Sequence, residues 1–186
     1  MMTINITSSP ALDDIVTVAA LKAFLRVDHS DEDTYITALR QVAISYVESI
    51  TDTRLGDVTA VGYMDSWHPV AIPVGPVQSI SSITYTSTSQ TTLTLGATHY
   101  YTDLVSKPAR IRFVSPPDLY DYALNRVQVN MTIGYPEASI PTPLIQAVRL
   151  LVGHLYEART EEVQGTITTR IKMGLEALVN PYRVLS

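Results

Sequence analysis

The chain has 186 residues, with 13 basic and 18 acidic side chains for a formal net charge of −5, and no cysteine. This length suits one ordinary domain, or a compact domain with a sizeable insertion, without covalent staples. The missing cysteines remove disulfides, thiolate catalysis and Cys-ligated zinc together. Acid is concentrated early: residues 1–57 hold nine acidic and four basic side chains, residues 58–142 five and four, and residues 143–186 four and five. A surface built to grip duplex DNA needs clustered Lys and Arg, so none is expected. The first residues lack the basic n-region and apolar core of a signal peptide, so no secretory leader is expected. The longest helical apolar stretch, Leu144–Tyr156, is interrupted by Arg149 and His154 and is too short to cross a bilayer, so a soluble protein with no membrane partner is expected.

In chain order, a short helix opens at Thr17 as N-cap and carries Leu21, Phe24 and Leu25. The acidic link Asp28-His29-Ser30-Asp31-Glu32-Asp33 follows, in which Ser30 and Asp33 have capping-box spacing and the acids lie where a helix dipole is positive. Residues 31–52 then show helical period. Ile36, Leu39, Val42, Ala43, Tyr46, Val47 and Ile50 form an expected buried stripe, and Thr34, Thr37, Gln41, Ser45, Glu48 and Asp52 an expected wet one, with Ile44 alone out of place.

After Leu55-Gly56 the period changes from 3.6 to 2. The clearest strand is Val127–Tyr135, with shorter ones at Ile83–Tyr85, Leu93–Leu95 and Ala109–Phe113, and Ser87–Gln90 reads as a hairpin loop. Residues 58–135 are therefore an antiparallel β unit inserted between the second and third helices. Helix returns at Thr142-Pro143, a cap followed by proline at the first helical position, and Leu144–Tyr156 is apolar nearly all round, which places it at the centre of a bundle against both earlier helices. Residues 136–169 complete that bundle, although Glu161–Thr169 loses periodicity, and a short helix runs from about Leu175 to Val179 before Asn180-Pro181. The expected class is α+β: residues 1–57 as the N-terminal helical part, the β unit, the central helix, and residues 170–186 as a C-terminal arm.

No site for catalysis, cofactor or metal emerges. The acidic link lacks the Gly and distal Glu of an EF-hand and reads as helix capping. His154 and Glu157 share a helix face, but no second His-Glu pair accompanies them. His29, His68 and His99 are isolated, no Gly-rich phosphate loop is present, Glu161-Glu162 are adjacent acids in an aperiodic segment, and Trp67 reads as packing. The tail differs. Arg170, Lys172 and Arg183 alternate with Ile171, Met173, Tyr182, Val184 and Leu185, as in a docking arm; alternatively Leu175, Leu178 and Tyr182 fold back on the bundle.

The run TVAALKAFLRVDHSDEDTYITALRQVAISYVESITDTRL resembles the opening of the tailed-phage head–tail connector (adaptor) proteins. The segments IPVGPVQSISSITY, KPARIRF, VNMTIGY, IPTPLIQAVRLLVGHLYEAR and LEALVNPYRV continue the resemblance in order, from about Val16 to Val184. It implies a non-enzymatic structural protein of the virion, assembled in the host bacterial cytoplasm. Commonly about a dozen copies form a ring under the portal at the head–tail junction, extending the DNA channel and offering a surface to the next neck or tail protein. DNA passes through without specific binding, and no cofactor is implied. The portal-docking arm of the family corresponds to Arg170–Ser186, with Arg170, Ile171, Lys172, Pro181, Tyr182 and Arg183 at its contact positions; many relatives carry a proline where Met173 precedes Gly174 here. The early acid excess further suggests that Glu48 and Asp52 line the channel and keep DNA from sticking. The alternatives are a monomeric module binding carbohydrate or peptide through the β unit, a small metal hydrolase, and another neck component such as a stopper.

Overall fold

In the computed structural model, which describes residues 2–158 and 174–184, the switch in period divides the chain into two compact units. The first comprises Met1–Pro10, Asp57–Tyr135 and Val184–Ser186; the second comprises Ala11–Gly56 and Pro136–Arg183. The class is α+β.

Eight strands build the β unit: β1 (Thr3–Ile6), β2 (Val58–Met64), β3 (Val70–Ile72), β4 (Val77–Thr86), β5 (Thr92–Thr94), β6 (Tyr100–Asp103), β7 (Ala109–Phe113) and β8 (Val127–Ile133). They form a five-stranded sheet in the order β1-β2-β8-β4-β5 and a three-stranded sheet in the order β3-β7-β6, and every pair is antiparallel. Strands β2 and β8 pair without interruption from Val58↔Ile133 to Met64↔Val127. Both alternate in phase, so Val58, Ala60 and Met64 join Val127, Val129, Met131 and Ile133 on one dry face. Strand β4 pairs with β8 through register shifts between Val77 and Ser79 and between Ile80 and Ser82. The three-stranded sheet adds Val70, Ile72, Ala109 and Ile111 to the same core.

Residues 3–6 depart from the expected helical N-terminal part. They form β1, paired with β2 from Thr3↔Tyr63 to Ile6↔Ala60. A four-residue alternation is too short to stand out in sequence, yet it completes the sheet edge. Met2 is buried beside it, filling the space over Gly62, where an added Cβ would lie 2.7 Å from Met2 Sδ.

The helical unit contains α1 (Leu12–Ile15), α2 (Val18–Leu25), α3 (Asp33–Thr51), α4 (Thr142–Glu157) and α5 (residues 174–179). Thr17 caps α2 as expected, its hydroxyl accepting from Ala20 N–H at 3.1 Å. The capping box at Ser30 does not form. The α3 N-cap is Glu32 without a side-chain cap, and Asp33 instead pairs with Lys22 Nζ at 2.7 Å. For the Asp33 carboxylate, a charged partner on the neighbouring helix replaces the backbone N–H of Ser30. Helix α4 packs against both α2 and α3, but it is not enclosed as a bundle centre: Leu144, Ala147, Val148 and Val152 are buried, and Leu150 is exposed.

The buried stripe of α3 is also rotated from the expected one. Ile36, Arg40, Ala43, Ile44, Val47 and Thr51 are buried, whereas Val42 and Tyr46 face solvent. Arg40 accounts for the shift: through Nη1 its guanidinium donates to the Val16 carbonyl at 3.0 Å and pairs with Asp13, so a charged side chain lies in the seam, although its buried Nε has no hydrogen-bond partner. Ile44, the residue that broke the sequence pattern, marks the true face.

These contacts are unequal. Asp13 is largely exposed, so its ion pair is weak, while the Arg40 bond to the buried carbonyl is not screened. Arg40→Met is expected to lower unfolding free energy by about 1–3 kcal/mol. Asp13→Ala should cost less than about 1 kcal/mol. Urea denaturation of the two variants checks the ordering, and equal losses would contradict it.

Candidate functional site

Among the described residues, three surface features stand out. The first is the outer face of α3. Thr34, Ala38, Gln41, Val42, Ser45, Tyr46 and Ser49 are exposed, and none carries a charge. Val42 and Tyr46 retain 56% and 46% of their accessible surface, a large apolar remainder for a helix that otherwise had a clean inner face to bury.

The two acids expected to line a channel lie at the end of this helix with different roles. Both oxygens of Glu48 are engaged: one accepts from Arg54 at 2.8 Å, the other from Leu55 N–H at 2.8 Å, and the side chain is only 11% exposed. Glu48 therefore fastens the chain as it leaves the helix. Asp52 takes the left-handed C-cap position, φ 51°, and is exposed.

The second feature is the C-terminal segment. Arg170, Ile171 and Lys172 lie outside the described residues. Within the described part, Leu175 and Val179 are buried in the helical unit, Leu178 and Tyr182 are half-buried, and Val184 is buried in the β unit. A 3-10 turn at Asn180–Tyr182 sits between the two valines, leaving Pro181 and Arg183 exposed and Tyr182 half-buried. Val184 fits where Gly75 has no side chain, its Cγ2 3.1 Å from an added Cβ. At Gly174 an added Cβ would meet nothing within 4 Å, so space does not demand glycine there.

The third feature is the β6–β7 hairpin, which sequence reasoning did not single out. Asp103 organises its turn. One carboxylate oxygen accepts from Val105 and Ser106 N–H at 3.2 and 3.0 Å, and the other accepts from Ser106 Oγ at 2.6 Å and Arg110 at 2.8 Å. The Ser106 hydroxyl, then its N–H, then the Arg110 guanidinium hold the Asp103 carboxyl well below the usual carboxylate range. The fixed turn displays Val105, and the sheet face beside it carries an open cavity of about 410 Å³ lined by Pro69, Val70, Ala71, Tyr101, Arg110 and Arg112, among others. Asp103 followed by Ser106 and Arg110 was the available signal, a carboxylate spaced to bond its own turn.

Trp67 is structural. Its indole donates to the Pro117 carbonyl at 2.7 Å, and its ring packs on Phe113 and Tyr85 with centroids 4.9 and 5.6 Å away. Among the described residues, no group of three or more His, Asp or Glu is placed to hold a metal ion.

No family model matches the chain, and no curated protein matches it. Solved structures do. The fold is similar, at TM-score 0.81 and 20% identity, to a chain in the neck of an empty gene transfer agent (GTA) particle computed with C6 symmetry, covering 99% of this chain and 96% of that one. A chain from the virion of the native GTA particle matches at TM-score 0.80 and 20% identity, covering 98% and 96%. A chain from the neck of the native particle computed with C12 symmetry matches at TM-score 0.76 and 19% identity, covering 99% and 96%.

Because the folded pKa of Asp103 is depressed, its contribution to the hairpin is complete above the ordinary carboxylate value near 4 and is lost as pH falls through the folded pKa. The Val105 and Ser106 amide resonances should therefore hold steady from neutral pH down past about 4 and move only below it. A midpoint at the ordinary value would contradict this geometry.

Proposed function

We propose that this protein is a structural, non-catalytic component of the neck of a tailed phage or phage-derived particle, acting as the adaptor ring beneath the portal. The observation that carries the proposal is the correspondence of nearly the whole fold, both units together, with chains found in GTA necks and virions. The order of segments in the sequence supports the same reading independently. The C6 and C12 symmetries of those neck structures favour a closed ring of repeated subunits.

A cyclic ring joins one patch to a different patch on the next copy and closes only when the rotation per subunit is right. The uncharged outer face of α3 suits such a contact, because Val42 and Tyr46 leave water on assembly and no charge must be desolvated with them. The portal supplies the rotation by binding the C-terminal arm. Arg170, Ile171 and Lys172 contribute together with Pro181, Tyr182 and Arg183, the last three offered by the turn between Val179 and Val184. The ring extends the DNA channel and presents its far side to the next neck protein. Asp52 is the better of the two channel acids, since the charge of Glu48 is already paired. Localisation is the head–tail junction.

A monomeric binding module is the second reading, favoured by the open cavity on the three-stranded sheet. A carbohydrate site needs several stacking rings, and Tyr101 is the one aromatic side chain on that cavity wall.

Light scattering of the protein alone and mixed with portal tests the ring. A monomer or weak oligomer alone and a closed multimer with portal are expected. Val42→Lys with Tyr46→Lys should prevent closure while moving unfolding free energy by no more than about 0.5 kcal/mol, as for ordinary surface changes. A stable ring that ignores both portal and these substitutions would contradict the mechanism.

A further inference from the structure

Internal pairing leaves an uncompensated cationic patch on the β unit and an uncompensated anionic patch on the helical unit, and we infer that a second copy joins the two patches: the α2–α3 corner of one copy, bearing Phe24, Asp28 and Asp31, seats in the Tyr101–Arg112 cavity of its neighbour. This contact rests on the ring proposed above and names one of its joints.

The cationic side comes from the β6–β7 hairpin. Of the basic residues in the β unit, Arg126 is paired with Asp121 and Arg110 with Asp103. Lys107 and Arg112 are exposed and have no partner among the described residues. Arg112 lies directly opposite Tyr101, which is 69% exposed, and both line the cavity above Val70 and Ala71. An unpaired guanidinium beside an aromatic face and an apolar floor suits a segment that carries a carboxylate and an aromatic ring together.

The anionic side is what the helical unit has left over. Asp13, Asp33 and Glu48 are paired with Arg40, Lys22 and Arg54, and Glu32 accepts from the Tyr156 hydroxyl. Asp28 and Asp31 remain exposed on one loop with no Lys or Arg partner; Asp31 has only His29 at 3.9 Å. Phe24, in the last turn of α2 and four residues before Asp28, is 40% exposed. Arg26 tempers this corner, but the two acids outnumber it. Acid on one patch and base on a different patch is the complementarity that a head-to-tail ring contact requires, and it fixes register as well as attraction.

The cysteine-free sequence makes the test clean. Ser30→Cys and Ala71→Cys, combined in one chain, place thiols at the two patches and leave Asp28, Asp31, Tyr101 and Arg112 unchanged. Oxidation of purified particles, and of the concentrated protein, should give a ladder of cross-linked oligomers on non-reducing gels, whereas either single variant stops at dimers. In addition, Arg112→Asp should weaken self-assembly at least about tenfold, and Asp28→Arg with Asp31→Arg in the same chain should restore it. A ladder missing from particles that do contain the protein in their necks overturns the contact and leaves the ring standing. A ladder from the free protein with empty necks keeps the contact and removes the neck assignment, and no ladder in either sample removes the contact. Loss on Arg112→Asp that the paired reversal fails to restore overturns the second copy as occupant and points to a different acidic partner.

Discussion

The β unit is completed by residues from outside 57–135, and the path of the chain follows from that constraint. Strand β1 covers the outer edge of β2, Met2 fills the space above Gly62, and Val184 fills the space at Gly75. Each glycine is a position where any side chain would meet the incoming residue. The chain therefore leaves the β unit after residue 10, returns at 57, leaves again after 135 and returns at 184. Both helical excursions are bracketed by strands or by a buried valine. The 3-10 turn at Asn180–Tyr182 owes its definition to this arrangement, because a buried residue holds it on either side.

Much of this was legible in sequence where the local signal and the tertiary outcome agree. Strand β7 was readable residue for residue, β8 to within two residues, and the Thr17 cap outright, since in each case one periodicity or one hydroxyl decides the matter. The failures have a common cause in partners that are distant in sequence. Arg40 turns α3 because Asp13 and the Val16 carbonyl await it, and Asp33 abandons Ser30 for Lys22. Strand β1 exists because β2 offers an edge. Glu48 could not be told from Asp52 by spacing, yet Arg54 six residues on distinguishes them.

The candidate surfaces were less legible than the fold, for a physical reason. A contact surface is what folding leaves unused, and it becomes visible only after the internal pairs are known. Val42 and Tyr46 looked like core residues until the helix was seen to face the other way. Strand β6 had no signal in sequence, and only the pairing of Asp103 with Arg110 leaves Arg112 and Lys107 without partners among the described residues. The uncharged face of α3, the Lys107–Arg112 patch and the Asp28–Asp31 patch are, among the described residues, surfaces of this kind.

The most direct test is to image purified particles at the head–tail junction and ask whether this fold is there in repeated copies. The account predicts a closed ring of this chain around the channel axis, in contact with the portal, with the outer face of α3 covered by the next subunit. Particles whose necks lack the chain, while the isolated protein stays monomeric in the presence of portal, would contradict it.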